Sequence, residues 1–204
     1  MKSNSHFRFI ININKLPIFF QLLRKGIFVA VEQRVGIKAL LCEKLKIDAA
    51  YIDKEVKTIF LNGKPVDDPD SAVIEGGSTL ALSAAMPGMV GATMRSGGYY
   101  APLRHAISFD RRNAPDSNMA QSVTVKCFNT VASDLGAFLL HQGVSVAGKD
   151  FQEFVDTRID DFLKEVKSLV LDGKAVEPAV LKQIECSREN IFLQIETDPN
   201  ANPN

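Results

Sequence analysis

The feature that most limits how this chain can fold is a stretch that occurs twice. Val56–Val66 reads VKTIFLNGKPV and Val166–Val176 reads VKSLVLDGKAV, so Val56, Lys57, Leu61, Gly63, Lys64 and Val66 recur as Val166, Lys167, Leu171, Gly173, Lys174 and Val176. Thr58/Ser168, Ile59/Leu169 and Asn62/Asp172 are conservative changes. Each copy is an apolar run entering Asn-Gly or Asp-Gly. That dipeptide tolerates positive φ at both central positions of a turn and is the strongest short-range signal for a tight hairpin. The register continues downstream, where Ile74-Glu75 follows Val66 at the spacing with which Ile184-Glu185 follows Val176. Upstream, LLRKGIFVA at Leu22–Ala30 is echoed by LLHQGVSVA at Leu139–Ala147. Matches in the same order are the mark of one domain duplicated.

Taken in order, the chain predicts two similar sets of elements. The first begins with a strand from Phe7 (FRFIINI) and a short helix with Asn14 as cap, Pro17 in its first turn and Gly26 at its end. A strand at Ile27–Val31 follows, then a helix whose apolar stripe is Ile37, Leu40, Leu41 and Leu45. After the first hairpin come a loop at Asp67–Asp70, a turn at Gly76-Gly77 and a closing strand, STLALSA. The second set has a strand at Ser122–Phe128, a helix from near Ser133 to Gly143, and a strand at Val144–Ala147. Asp150 with Glu153 then resembles a capping box, opening a helix with Phe151, Phe154, Val155, Ile159, Phe162 and Val166 on one face. The second hairpin and a strand at Asn190–Glu196 close the set. The expected fold class is α+β: one repeat at 7–85, a connector at 86–120, a second repeat at 121–198, and a disordered tail at 199–204.

Composition narrows the function classes. The chain has 204 residues, 46% hydrophobic, with Lys plus Arg and Asp plus Glu equal at 24 each, so no bulk charge points to nucleic acid or an anionic membrane. The amino-terminal part leans basic and the carboxy-terminal part acidic. Cys42, Cys127 and Cys186 are far apart, without a C-x-x-C or a histidine at ligand spacing. This argues against a disulfide framework or zinc site and for small buried hydrophobes. The apolar run around Leu16–Phe20 and Leu22-Leu23 is too short to span a membrane, and Asn12, Asn14, Lys15 and Pro17 interrupt any signal-peptide core. A cytoplasmic protein without a cofactor is expected.

FLNGKPVDD at Phe60–Asp68 and IEGGSTLALSAAMPGMVG at Ile74–Gly91, within this order of elements, resemble the ubiquitin-like β-grasp sulfur-carrier family, the small subunit of molybdopterin synthase and the thiamine-pathway carrier among them. The resemblance covers the first repeat and implies two tandem β-grasp repeats, each a mixed sheet with a helix across one face. In that family a strand, a proline and a terminal Gly-Gly follow the glycine turn, and the free glycine carboxylate is adenylated. Here Pro87, Gly88 and Gly91 stand at the corresponding place, no Gly-Gly pair is there, and the chain continues. The likeness therefore carries fold rather than chemistry.

No serine, cysteine or lysine is arranged with a base as a nucleophile, and Asp67, Asp68 and Asp70 lack the frame of a calcium loop, so neither catalytic nor metal-binding residues are assigned. The connector is the segment that stands out. Met86–Ala120 carries Met86, Met89, Val90, Met94, Tyr99, Tyr100, Leu103, Ile107 and Phe109 where a spacer needs only small polar residues. It also carries Arg95, Arg104, Arg111, Arg112 and His105. Arg95, Tyr99, Tyr100, Arg104 and His105 are the candidate residues for binding a protein partner or an anionic ligand, and Gly88 and Gly91 are the glycines of the carrier-like segment. The expected function is a non-catalytic interaction or assembly module. One alternative is a carrier-like or conjugated protein processed after Gly91 or Gly98. The other is an enzyme or ligand-binding protein with its site between the repeats.

Overall fold

A computed structural model describes residues 5–109, 121–186 and 190–198; the side chains of 105–107 and 159–162 fall outside the description. The chain is mixed α/β. Its strands are β1 (Ser5–Ile11), β2 (Ile27–Ala30), β3 (Val35–Gly36), β4 (Thr58–Leu61), β5 (Lys64–Pro65), β6 (Val73–Ile74), β7 (Thr79–Ser83), β8 (Ser122–Phe128), β9 (Val144–Ala147), β10 (Val166–Leu171), β11 (Lys174–Val176) and β12 (Asn190–Thr197). Its α-helices are α1 (Phe20–Lys25), α2 (Ile37–Ala39), α3 (Ala49–Glu55), α4 (Gly88–Met94), α5 (Asn129–Gln142) and α6 (Gly148–Glu165).

Contacts divide the chain into a continuous unit, Phe28–Asp134, and a split unit made of Met1–Ile27 and Leu135–Asn204. These units do not follow the boundaries expected at 7–85 and 121–198. The strands that open the two expected sets are the cause. Strand β1 pairs with β10 and β12, and β8 pairs with β7, so β1 is built into the unit that holds the second hairpin and β8 into the unit that holds the first.

In the continuous unit the strand order is β2-β8-β7-β4-β5, with β7 and β8 parallel and β4 antiparallel to both β7 and β5. Register puts Ile59 opposite Leu82, Leu61 opposite Leu80, and those two leucines opposite Cys127 and Val125. All six side chains are buried on that face, as alternation in a half-buried sheet requires. The stripe expected at Ile37, Leu40, Leu41 and Leu45 is buried too, although α2 lasts only three residues before the chain widens into a π-helical turn at Leu40–Lys44. Asp48 caps α3 by accepting from the Ala50 amide at 2.6 Å.

In the split unit the order is β9-β12-β1-β10-β11. Here β1 runs parallel to β12 and antiparallel to β10, and β12 is antiparallel to β9. Phe7, Phe9 and Ile11 of β1 are buried with Leu193 and Ile195 of β12. An aromatic cluster joins this face to the helical segments: ring centroids lie 5.1 Å apart for Phe7–Phe151 and 5.0 Å for Phe19–Phe154. Burying one such side chain stabilises by about 1.5–3 kcal/mol. Phe151, Phe154 and Val155 are buried as the helical stripe of α6 required, while Val166 lies in β10. The Ile159 and Phe162 side chains lie outside the described residues.

Several boundaries differ from expectation. Asn12, not Asn14, caps the first helical segment, a 3-10 helix at Ile13–Phe19. Helix α5 starts at Asn129, earlier than Ser133, and α6 starts at Gly148, before the proposed box at Asp150. Both hairpins match expectation. Asn62-Gly63 has φ of 52° and 78°, and Asp172-Gly173 has φ of 50° and 79°. The two units are not simple copies, however. The strand that follows the hairpin in sequence and closes the set lies beside that hairpin in one unit (β7) and one place away from it in the other (β12). Leu61 is buried whereas Leu171 is half-buried, which follows from their different neighbours. The tail at 199–204 lies outside the described residues.

Candidate interaction surface

The part of the connector that is described, through Phe109, is folded onto the continuous unit rather than slung as a spacer. Gly91 is buried in α4, where a Cβ would collide with the carbonyl of Met86. Gly88, exposed, opens the helix with φ of 78°. After α4 the chain is fastened at successive points to the first hairpin and its flanks. The Ser96 amide donates to the Lys57 carbonyl at 2.9 Å and its hydroxyl to the Val66 carbonyl at 2.7 Å. The Gly97 amide donates to Asp67 Oδ1 at 3.2 Å, and the Phe109 amide to the Pro65 carbonyl at 2.8 Å. Pro65 lies on edge strand β5, so the connector caps an outward carbonyl of that edge.

Arg104 organises the inside of this fold. It sits at a kink in the 3-10 helix Ala101–Ile107, and all three guanidinium nitrogens are bonded. Nε donates to the Thr93 carbonyl at 2.6 Å. Nη1 donates to Asp67 Oδ2 at 3.0 Å and Ser108 Oγ at 2.7 Å; Nη2 donates to Asp67 Oδ1 at 2.6 Å and the Arg95 carbonyl at 3.2 Å. A guanidinium has five N–H groups, so none is left over for a ligand. Arg104 is therefore corrected from a surface binding residue to a buried structural one.

The other candidates fall differently. Arg95 is exposed, and Tyr99 is 90% exposed with its ring edge-on to the partly exposed Tyr100 at a centroid distance of 5.1 Å. Met89 and Val90 on α4 and Leu103 on the neighbouring 3-10 helix are exposed as well. Among the described residues, only Ile13 and Phe138 are large exposed apolar side chains elsewhere. The side chain of His105 and all of Arg111 and Arg112 lie outside the described residues. Sequence reasoning missed Asp67, Ser96 and Ser108. Asp67 reads as a solvated turn residue, and nothing near it in the chain announces a partner at Arg104.

The ionisable groups with clear shifts are moved away from neutrality. Burial, and then the hydrogen bond to Asp134 at 3.0 Å, raises Tyr51, and burial pushes the Cys127 thiol up to about 12. Both are held protonated at neutral pH. Thr58, buried opposite Ser83, has a hydroxyl without a hydrogen-bond partner among the described residues. Among those residues no group of three or more His, Cys, Asp or Glu could hold a metal ion, and no helix is long and apolar enough to cross a membrane. Comparison with known proteins finds no family model, no curated relative and no solved structure that matches the chain.

Proposed function

We propose that the protein is a non-catalytic interaction or assembly module, and that a protein partner docks on the connector at Met89, Val90, Tyr99, Tyr100 and Leu103 beside Arg95. One observation carries this reading: most of the large apolar side chains that the described residues expose are gathered on a segment that is itself fastened down. An exposed apolar cluster costs solvation unless something covers it, and tyrosine and arginine supply much of the energy at protein contacts. The test is quantitative capture from the native host by tagged full-length protein and by a Tyr99→Ser, Leu103→Ser variant. A specific partner lost with the variant supports the reading; equal capture by both proteins overturns it.

The architecture belongs to the same proposal. The recurring hairpins, and the positive φ of Gly26 and Gly143 at equivalent points before β2 and β9, support two β-grasp-like repeats whose first strands have been exchanged. A carrier-like protein released by processing is the second reading, and the fold favours one of its two cut sites. Gly91 is buried within α4, whereas the half-buried Gly98 ends the turn in which its amide donates to the Arg95 carbonyl, next to exposed Tyr99. Intact mass of the native protein tests it: a species ending at Gly98 supports the carrier reading, and full-length protein alone removes it.

A further inference from the structure

We propose that the Asp67–Arg104 pair is a latch: it holds residues 95–109 on the continuous unit, and neutralising Asp67 releases that segment without unfolding the sheet to which it is fastened. The proposal rests on the interaction reading above, because the latch governs how that surface is presented. Three of Arg104's bonds, to the Thr93 carbonyl, the Arg95 carbonyl and Ser108 Oγ, stay within the connector. Only the two to Asp67 tie the guanidinium to residues outside it. The Gly97 amide adds a third connector bond to the same carboxylate. Among the described residues, one side chain therefore receives half of the six hydrogen bonds that fasten the segment, and it alone carries a charge among those acceptors.

The two partners differ in access to water. The Arg104 side chain is 2% exposed and that of Asp67 is 41% exposed. A guanidinium cannot shed its proton, so removing the carboxylate's charge leaves a buried cation with no counter-charge. It can lower its free energy by moving into water, leaving the Thr93 carbonyl of α4 and taking Arg95 and Ser108 with it. The bonds then left, Ser96 to Lys57 and Val66 and Phe109 to Pro65, are neutral ones. Strands β4, β7 and β8 are held independently by their own ladders and by fully buried Leu80, Leu82 and Val125. The segment can thus leave without carrying the sheet away.

Hydrogen–deuterium exchange on the full chain, with Asp67→Asn, Asp67→Glu and Tyr99→Ala, tests this in the absence of any partner. The expected result for Asp67→Asn is exchange across 96–109 faster by about tenfold or more, with β4, β7 and β8 unchanged. Asp67→Glu, which keeps the charge, should fall between wild type and Asp67→Asn, and chymotrypsin should cut after Tyr99 or Tyr100 sooner in Asp67→Asn. Wild-type protection of 96–109 in Asp67→Asn overturns the latch, and so does loss of protection in β4, β7 and β8 together with it. Tyr99→Ala should leave exchange unaltered and, in a separate capture from the native host, weaken partner recovery. If it spares capture, the docking reading fails and the latch stands on its own data.

Discussion

The backbone amide of Asp172 donates to the His6 carbonyl at 2.9 Å, and the His6 amide donates back to Asp172 Oδ1 at 2.8 Å. Asn62 makes the same reciprocal pair with Thr79, both bonds at 2.8 Å. Each turn residue holds the strand beside its hairpin by amide and side chain together. The strand differs, being the amino-terminal β1 in the split unit and β7, which follows its hairpin in sequence, in the continuous one. Strand β1 thus takes beside β10 the place that β7 has beside β4, and β12, the counterpart of β7, is set one place further from the hairpin.

Asp172→Ala should destabilise by about 1–2 kcal/mol, because it removes a bond to His6 and places a Cβ residue with no compensating side chain at positive φ. Asn62→Ala should cost a similar amount. Asp172→Gly relieves the backbone but not the lost bond, so it should cost less than alanine. Urea unfolding of the three variants measures the ranking, and equal stability of Asp172→Ala and wild type would show that the tie contributes nothing.

Phe9→Ala should destabilise by about 3–5 kcal/mol, the range for a buried aromatic that leaves a cavity. Its location matters more than its size. Amide protection should fall in β10 and β12, which flank β1, rather than in β4 and β7. Loss confined to residues 28–85 would mean that β1 stays with its own repeat.

Cys127 should resist alkylation until the protein unfolds, whereas half-exposed Cys42 should react in the native state. Because burial raises the Cys127 thiol to about 12 and the unfolded chain releases that proton nearer its ordinary value, this group makes folding stability fall as pH rises through that interval. Mass mapping after brief labelling separates the cysteines, and early modification of Cys127 would place it at the surface.

Arg95→Ala with Tyr99→Ala should change stability by less than about 1 kcal/mol, as exposed positions do. The same pair should weaken partner binding by roughly 2 kcal/mol or more. Arg104→Ala should behave in the opposite way, lowering stability by about 1–3 kcal/mol, because two carbonyls and Ser108 lose their donor while the half-exposed Asp67 turns to water. Thermal melts beside a binding titration separate the two arginines, and matching profiles would contradict their different burial.

What the sequence made legible is what short range decides. Asn62-Gly63 and Asp172-Gly173 dictate their turns locally, and the buried stripes at Ile37, Leu40, Leu41 and at Phe151, Phe154 follow from helical spacing. Strand neighbours were not legible. Alternating Phe7, Phe9 and Ile11 suit a place beside either hairpin as well as Leu80 and Leu82 do, so three-dimensional packing makes the choice. Arg95 and Arg104 are likewise indistinguishable in the sequence. The carboxylate that buries one of them lies 37 residues upstream, in what reads as an ordinary polar turn.

The most direct test of the interaction reading is site-specific photo-crosslinking in the native host. A photoreactive phenylalanine analogue is placed singly at Tyr99, at Leu103 and, as controls, at exposed Lys174 and at Ile13. A docked partner predicts one shared crosslinked species from positions 99 and 103 and none of that mass from 174 or 13. Crosslinks of the same kind from all four positions, or from the controls alone, would contradict the connector as the docking surface.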